Sequence, residues 1–431
     1  MSKKNINWKE ALKVIPGGNL LYSKRPQMFL DEKWPTYFTK SKNCYVWDKN
    51  NKKYIDMIFA VGTNVLGYGN SKVDKSVKKI IDKGVMTTLN SFEEVILAKK
   101  LLDIDKWAGK VKFARSGGEA NSIAIRIARA YKKNKQNVAA CGYHGWHDWY
   151  LSANLKNKSR LNNHLSKDVK IDGVNKKLKN TIFLFKYNDI RKLEYLMKNK
   201  NIGIIKMEVQ RNINPKDDFL LKVRHLANKY NSVLIFDECT SGFRQTYGGL
   251  YKKYKIIPDI VTYGKAIGNG YAITAIVGKS KIMNACENTF ISSTFWSERI
   301  GFVAAIETIE QMRKNKTWKK IKDKGHYIIK EWKKLAKKNN IEIETFGIES
   351  IPQFKFKEKN NLLKTFITSE MLKKGYLASN LIYVSIAHTK PIIDKYLKDL
   401  DKVFNKISKM KKPYKEIKIK ISQKEFIKRL N

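Results

Sequence analysis

Short, nearly continuous apolar runs recur through the middle of the chain, and longer segments with helical periodicity separate most of them. The runs are Val111–Ala114, Val138–Cys141, Ile202–Met207, Val233–Phe236, Ile260–Tyr263 and Ala272–Val277. Uninterrupted apolarity is typical of strands buried on both faces of a parallel sheet. The separating segments Glu119–Lys132 and Leu220–Tyr230 carry apolar residues at helical spacing. The pattern predicts an α/β protein with a mostly parallel sheet and helices on both faces.

The two ends of the chain follow a different pattern, in which helical segments enclose short strand-like stretches. The stretches are Cys44–Trp47, Tyr54–Met57, Ile341–Thr345 and Ile382–Ile386, and the later helices are Trp318–Asn339 and Pro391–Met410. We therefore predict a smaller α+β domain built from both chain ends around a large central domain. The predicted segments are 1–60 and 317–410 for the smaller domain, 61–316 for the large domain, and 411–431 for a basic C-terminal extension.

Charge is the most unusual property of the composition, since 87 Lys and Arg against 39 Asp and Glu give a formal net charge of +48. Such an excess is typical of proteins that bind nucleic acids. However, only 12 of the basic residues are Arg, the residue best suited to phosphate and base recognition, and the Lys residues are dispersed. No recognition-module pattern is present either. We predict no specific nucleic-acid partner, and binding of nucleic acid or another anionic polymer is the third hypothesis for function.

The remaining composition indicates a globular protein of the cytoplasm. An apolar content of 42% excludes a disordered basic linker. The four cysteines are far apart and form no CxxC pair, which favours reduced thiols. The N-terminus lacks the apolar core of a signal peptide, and the longest uncharged run, Met57–Ser71, is too short to span a bilayer. We expect a soluble, cytoplasmic protein without membrane contact.

Residues with chemical potential follow the predicted strands, and the carboxyl ends of parallel strands meet where α/β proteins bind ligands. Ser116-Gly117-Gly118-Glu119 follows the first run and opens a helix. Backbone N–H groups at such a helix N-terminus bind phosphate. The same Ser-x-x-Glu pattern is a capping box, which satisfies N–H groups without a ligand. On these four residues alone, the cap is the favoured interpretation.

A second cluster follows the Val138 run and contains Tyr143, His144, His147 and Asp148. A Tyr at a strand end offers an aromatic plane to a flat ligand. The two His and the Asp suggest metal ligation, but no further His or Cys pair completes a coordination set. Hydrogen-bonded loop histidines are the favoured interpretation, and we predict no metal.

Asp237 and Lys265 end two further strands. A Lys at a buried strand end is rare, because burial lowers its pKa toward the range of a base or a Schiff-base nucleophile. A phosphate cradle, an aromatic plate, a carboxylate and a lysine together are what pyridoxal 5′-phosphate (PLP) requires. The strand ends therefore predict a PLP site.

These motifs make the chain similar to the class III aminotransferases of PLP fold type I, closest to the branch of glutamate-1-semialdehyde aminomutase. The similarity covers roughly residues 10–410 and keeps the order of the motifs. They are Ile15-Pro-Gly-Gly18, Val46-Trp-Asp48, Tyr54-Ile-Asp56, Ser116-Gly-Gly-Glu119-Ala, Tyr143-His-Gly145, Leu234-Ile-Phe-Asp-Glu238, Thr240-Ser-Gly-Phe-Arg244, Pro258-Asp259, Gly264-Lys265-Ala-Ile-Gly268 and Ser293-Thr294. The resemblance implies a large domain with a seven-stranded, mostly parallel sheet flanked by helices.

The resemblance also implies the residues of the catalytic centre. Lys265 would form the internal aldimine with PLP and later move the substrate proton. Asp237 would pair with the pyridine nitrogen, and Tyr143 and Cys239 would pack on opposite faces of the ring. Glu208 matches a family active-site carboxylate, although Val follows it where Pro is usual.

The remaining implied cofactor contacts concern the phosphate. Ser116, Gly117 and Gly118 would hold it. Thr294 would reach the phosphate bound in a neighbouring subunit, which implies a homodimer with active sites at the subunit interface.

Departures from the family pattern concern the substrate side. The commoner Ser-Gly-Thr-Glu-Ala is here Ser-Gly-Gly-Glu-Ala, and the segments 18–26 and 294–301 differ from those of the aminomutase. The segments 143–149 and 293–299 together are similar to those of aminotransferases found with surface-glycan and sugar biosynthesis enzymes. We expect transfer of an amino group from a small amino donor to a carbonyl acceptor. The second hypothesis is an intramolecular aminomutase or a PLP-dependent racemase or epimerase, and Arg25, Arg244 and Arg299 are candidates for substrate binding.

Overall fold

Strands and helices were assigned in a computed structural model that describes residues 6–31, 33–155 and 170–423. The strands are β1 (Phe38–Lys42), β2 (Tyr45–Asp48), β3 (Lys53–Asp56), β4 (Lys110–Ala114), β5 (Asn137–Cys141), β6 (Ile182–Leu184), β7 (Ile202–Glu208), β8 (Val233–Glu238), β9 (Ile260–Tyr263), β10 (Thr274–Gly278), β11 (Ile343–Phe346), β12 (Gln353–Phe356) and β13 (Tyr376–Leu377). The helices are α1 (Trp8–Val14), α2 (Phe59–Gly62), α3 (Ser71–Ile81), α4 (Phe92–Ile104), α5 (Gly117–Lys132), α6 (Asp148–Leu151), α7 (Ile190–Asn199), α8 (Phe219–Lys229), α9 (Ser280–Met283), α10 (Arg299–Asn315), α11 (Thr317–Lys338), α12 (Asn360–Lys373), α13 (Lys390–Ser408) and α14 (Pro413–Glu416).

The apolar runs of the central chain form one seven-stranded sheet with the order β4-β10-β9-β8-β7-β5-β6. β10 pairs antiparallel with β4 and β9, and the pairs among β5 to β9 are parallel. Every residue of β7, β8, β9 and β10 is buried. The mostly parallel sheet is confirmed, and β6 was not predicted because three residues are too short to form a recognisable run.

The chain divides into two compact units. One consists of the described residues of Met1–Asn70 and Lys320–Phe426, and the other of those of Ser71–Lys319. The second unit contains the seven-stranded sheet. In the first unit, β1, β2 and β3 form an antiparallel sheet that β13 extends in parallel, and β11 pairs with β12. The first unit is therefore assembled from both ends of the chain.

One predicted strand is wrong, because residues Ile382–Ile386 form no ladder. Their backbone N–H groups bond to separate segments: Ile382 donates to Pro352, Tyr383 to Met57, and Val384 to Ser350. An extended segment whose donors are used one by one satisfies its backbone without becoming a strand. Apolarity alone therefore predicted burial correctly and pairing incorrectly.

The part of the basic extension that the structure describes packs on the first unit. Ile417 is buried, Ser422 Oγ lies 2.9 Å from Thr365 Oγ1, and the N–H of Gln423 donates to Gln27 O at 2.8 Å. Among the helices within the described ranges, none is long and apolar enough to cross a bilayer.

Candidate functional site

Asp237 lies at the carboxyl end of β8 with a buried, fully hydrogen-bonded carboxylate. Oδ2 accepts from Asn121 Nδ2 at 2.7 Å and lies 2.8 Å from His144 Nδ1, and Oδ1 accepts from the N–H of Cys239 at 3.1 Å. Burial alone would raise the pKa of this carboxyl. The charge of Lys206 and the charge and hydrogen bond of His144 outweigh burial, so the pKa lies well below its ordinary value. Asp237 is therefore a permanent anion, suited to hold a cation.

Both ring nitrogens of His144 face oxygen acceptors. Nδ1 lies against Asp237, and Nε2 lies 3.1 Å from Cys141 O. This agrees with the interpretation of a hydrogen-bonded loop histidine. Within residues 6–31, 33–155 and 170–423, no group of three or more His, Cys, Asp or Glu could hold a metal ion.

Lys265 follows β9 and is held in an unusual conformation. Its backbone φ is +33°, a region that residues with a Cβ rarely adopt. Its amine donates to Thr240 Oγ1 at 3.0 Å, and burial lowers its pKa below the ordinary value. Strain of this kind persists only where the surrounding structure imposes it, and it is frequent at active sites. The lowered pKa makes the amine available as a nucleophile and base.

Glu208 ends β7 and is paired in register with Asp237. Its Oε2 accepts from the N–H of Tyr143 at 3.1 Å, and its Oε1 accepts from Arg211 Nη1 at 3.0 Å. Glu208 thus fixes the loop that carries Tyr143 and orients a guanidinium. Sequence reasoning missed Arg211, whose only signal was its position three residues after Glu208.

The start of α5 forms the predicted capping box. Ser116 Oγ accepts from the N–H of Glu119 at 3.3 Å, and Glu119 Oε2 accepts from the N–H of Ser116 at 2.7 Å. The box uses two of the donors at the helix start, and the N–H groups of Gly117 and Gly118 belong to the first turn, where no intrahelical acceptor exists. The cap and anion binding are therefore compatible.

The two glycines let other loops approach α5 closely. A Cβ at Gly118 would lie 2.8 Å from Cε1 of the His147 ring, and one at Gly117 would lie 3.5 Å from Cys239 Sγ. The same sulfur would lie 3.3 Å from a Cβ at Gly264, next to Lys265. The loops after β5, β8 and β9 thus converge on the start of α5.

Thr294 is exposed in the single chain. Hydrogen bonds join its loop to the start of α5: the Arg115 guanidinium donates to Phe295 O at 2.7 Å, and Trp296 Nε1 donates to Glu119 Oε1 at 3.0 Å. The loop is therefore held firmly, with Thr294 on the outside of the second unit.

The three arginines that were candidates for substrate binding have partners in the protein. Arg244 is fully buried and its Nε donates to Thr240 O at 2.6 Å. Arg299 pairs with Glu93 through two contacts, of 2.8 and 3.2 Å. Arg25 belongs to the first unit, where its guanidinium lies 4.6 Å from the centre of the Tyr22 ring.

Lys206 and Asn121 are further residues at Asp237 that sequence reasoning missed. Lys206 is a charged residue inside a run that otherwise reads as apolar, and this interruption was the available signal. Asn121 stands in a predicted helix without any distinguishing neighbour, so only the packing of α5 on the sheet reveals it.

Residues 30–399 match the family model described as aminotransferase class-III. The chain is 34% identical over 364 residues to the 3-aminobutyryl-CoA aminotransferase of Cloacimonas acidaminovorans, an alignment that covers 81% of this chain and 83% of that protein. It is 30% identical over 423 residues to the glutamate-1-semialdehyde 2,1-aminomutase of Sulfurisphaera tokodaii, covering 93% and 99%.

Solved structures share the fold. The PLP internal aldimine form of the Sphingopyxis sp. MTA144 FumI protein superposes with a TM-score of 0.85 at 22% identity, covering 96% of this chain and 97% of that one. An omega-transaminase from Sphaerobacter thermophilus gives a TM-score of 0.80 at 18% identity, covering 94% and 97%.

Proposed function

The chain belongs to the class-III aminotransferase family, and we propose that it transfers an amino group from a small amino compound to a carbonyl acceptor, with Lys265 as the catalytic lysine. The cofactor is PLP. When bound, PLP supplies an electron sink for the electrons left by a departing proton and a carbon that carries the amino group. The residues at the strand ends supply the rest.

Two observations support the fit of these residues to PLP. His147 Nδ1 is buried beside Gly118 and has no hydrogen-bond partner within the described residues. The start of α5 offers first-turn N–H groups at Gly117 and Gly118, in a cradle that a Cβ at Gly118 would fill. We propose that Ser116, Gly117 and Gly118 hold the phosphate there.

Lys265 has two tasks in this proposal. Its amine, whose pKa burial lowers, would bond covalently to the cofactor. After an incoming amine has displaced Lys265 from the cofactor, the same Nζ takes the proton from the substrate Cα. In the second half of the transfer it would return a proton to the Cα of the product. Thr240 Oγ1, 3.0 Å away, orients the amine.

Asp237 and the aromatic residue Tyr143 would hold the ring. The low pKa of Asp237 keeps a negative charge where a protonated ring nitrogen needs a partner. Tyr143 lies on the loop after β5, which Glu208 fixes by accepting a hydrogen bond from the Tyr143 N–H. Cys239 follows β8, and its sulfur lies next to Gly117 at the phosphate cradle.

The observation that carries the proposal is the pair of Lys265 and Asp237 at the carboxyl ends of the neighbouring strands β9 and β8: the amine of Lys265 has a lowered pKa, and Asp237 is a buried anion. The purified protein would be mixed with panels of amino acids, ω-amines and amino sugars. We expect at least one donor to change the visible absorption of the bound cofactor and to release one equivalent of carbonyl product. Lys265→Ala should abolish both, whereas Lys281→Ala, at an exposed position, should not. Unchanged turnover in Lys265→Ala would refute the assignment.

The aminomutase is the second candidate, because the aminomutase of S. tokodaii aligns over 99% of its length. A mutase exchanges the amino group within one molecule, so the donor screen would give an isomer and no released carbonyl compound. The same experiment therefore separates the two reactions.

We propose a sugar carbonyl of amino-sugar or surface-glycan biosynthesis as the acceptor class. The segments 143–149 and 293–299 support it, since they are similar to those of aminotransferases found with such enzymes. After loading with an amino donor, the protein should return to its starting absorption with keto-sugars faster than with 2-oxo acids. The reverse preference would overturn this part of the proposal.

We also propose a homodimer. The second unit exposes several large apolar side chains around the start of α4 and the loop of Thr294, which is unusual for a surface in water. They are Met86, Leu89, Phe92, Val95, Ile96, Phe290 and Phe295. Sedimentation should show a dimer that Phe92→Asp weakens, whereas Phe38→Asp, also exposed but in the first unit, should not. A cofactor-loaded monomer would overturn both the dimer and the proposed role of Thr294 across the interface.

A further inference from the structure

Lys206 lies in the middle of β7 and is fully buried. It is paired in register with Ile235, and Glu208, two residues on, is paired with Asp237. Because alternate residues of a strand share a face, and paired residues of parallel strands do so too, Lys206 lies on the Asp237 face of the sheet. On the other neighbour, β5, its paired residue is the small Ala140, which leaves room for a long side chain.

The ammonium of Lys206 is connected to Asp237 through one hydroxyl. Lys206 Nζ lies 3.4 Å from Thr262 Oγ1, and that oxygen lies 3.4 Å from Asp237 Oδ1. Thr262 Oγ1 also lies 3.1 Å from Asn121 Oδ1, so its single hydrogen has two acceptors to choose from, and Asn121 Nδ2 donates to the same carboxylate of Asp237 at 2.7 Å. Lys206, Thr262, Asn121 and Asp237 therefore form one buried polar network.

A buried ammonium is costly unless negative charge compensates it. Burial lowers the pKa of Lys206, and among the charges that oppose this lowering Asp237 is the largest. Other titratable groups face Asp237 from several elements: His144 after β5, Glu208 on β7, Cys239 after β8 and Lys265 after β9. Because a buried charge is costly without compensation, the contacts that lead from Lys206 to Asp237 indicate an electrostatic role.

We propose that Lys206 is a positioning residue that, through Thr262, holds Asp237 as the carboxylate that keeps the ring nitrogen of the cofactor protonated. This inference rests on the proposed function of Asp237. A positive charge beside Asp237 makes the carboxylate a weaker base, so that a proton shared with the nitrogen stays on the nitrogen. Without Lys206 the proton would move toward Asp237, and the ring would withdraw electrons less strongly.

The test uses Lys206→Met, which keeps the length of the side chain and removes its charge. The holoenzyme would be prepared with PLP labelled with ¹⁵N in the ring, and the ¹⁵N chemical shift would be followed through the neutral pH range. In the wild type we expect the shift of a protonated nitrogen at every pH. In Lys206→Met the signal should move toward the unprotonated value and titrate, and kcat should fall at least about tenfold while KM for the donor changes little.

Two further variants keep the proposal falsifiable. Lys198→Met, at an exposed position on α7, should match the wild type. Thr262→Val keeps Lys206 and removes the connecting hydroxyl, so it should shift the ¹⁵N signal in the same direction as Lys206→Met but by less. If the Lys206→Met protein does not fold, Thr262→Val takes its place in the test. Wild-type ¹⁵N signals in the variants that bind PLP would overturn the inference.

The outcome is distinguishable from failure of the proposed function. If the wild type showed a protonated nitrogen that Lys206→Met alters, but no donor supported amino transfer, the role of Lys206 would stand and transamination would fail. If the wild type transferred amino groups although its ring nitrogen were unprotonated, the proposed transamination would stand and the role of Lys206 would fail.

Discussion

Asp237 and Glu238 are neighbours on β8, equally buried, and opposite in their electrostatics. The side chains are 4% and 1% exposed. The pKa of Asp237 lies well below its ordinary value, whereas burial raises the pKa of Glu238 to about 7. Successive residues of a strand face opposite sides of the sheet, so each carboxyl meets different partners. Burial therefore does not decide the state of a carboxyl; the charges on its side of the sheet do.

The partners on the two faces explain the difference. Asp237 has Lys206 and His144 beside it. Glu238 accepts from Ser241 Oγ and from the N–H of Tyr251, but these are neutral donors.

The charge that shifts the pKa of Glu238 is negative. Asp105 raises its pKa further. Lys252 Nζ lies 2.9 Å from Asp105 Oδ1, so this cation pairs with Asp105. One face of β8 thus carries an anion, whereas the carboxyl on the other face has a raised pKa.

The largest expected effect comes from removing the anion. Asp237→Asn leaves Lys206 without its main compensating charge, so we expect a loss of about 3–5 kcal/mol in the free energy of unfolding. In the double variant Asp237→Asn with Lys206→Met, the loss in the free energy of unfolding should be about 1–3 kcal/mol smaller than the sum of the two single losses. Urea unfolding of the cofactor-free proteins measures both. Strictly additive losses would show that the two residues do not interact.

The pH dependence of stability should separate the two carboxyls next. For Glu238 the folded pKa, about 7, lies above the ordinary 4.5, so its contribution to stability is full below about pH 4.5 and is lost as the pH rises to about 7. The loss is about 3 kcal/mol. Asp237 has the opposite sign, because its contribution is full above its ordinary value of 3.8 and is lost in acid.

Glu238→Gln is the control for this pH profile, because an amide does not titrate. The slope between pH 4.5 and 7 should flatten in this variant, while the acid limb remains. A slope that persists in Glu238→Gln would assign it to other groups.

The smallest expected effect tests the neutral donors of Glu238. Ser241→Ala removes one hydrogen bond to the carboxylate form, so the Glu238 pKa should rise further. We expect a loss of about 1 kcal/mol in stability. The descending part of the stability profile should move to higher pH, and a shift to lower pH would contradict the described contact.

The sequence draws attention to residues at the ends of apolar runs more readily than to polar residues inside them. Asp237 and Lys265 were singled out because apolar runs end at them, and sheet topology brings such ends together. Lys206 was missed because a continuous run does not reveal which residues share a face; that depends on the register between β7 and β8, which is set by non-local pairing.

Other parts of the site depend on information that one sequence does not contain. Ser116 was assigned both as a helix cap and as a phosphate ligand, and the capping geometry shows that one does not exclude the other. Thr294 remains a prediction, because its expected partner belongs to a second chain.

The parallel pairing of β3 with β13 has a consequence for synthesis. Ile55 is paired with Tyr376, so the sheet begun by the first strands waits for more than 300 further residues. At ribosomal speeds of 5–20 residues per second, this delay lasts roughly 15–60 s. Throughout that time β3 presents an open edge to other nascent chains. The N-terminal strands, although among the first to be made, are therefore among the last to gain their full set of neighbours.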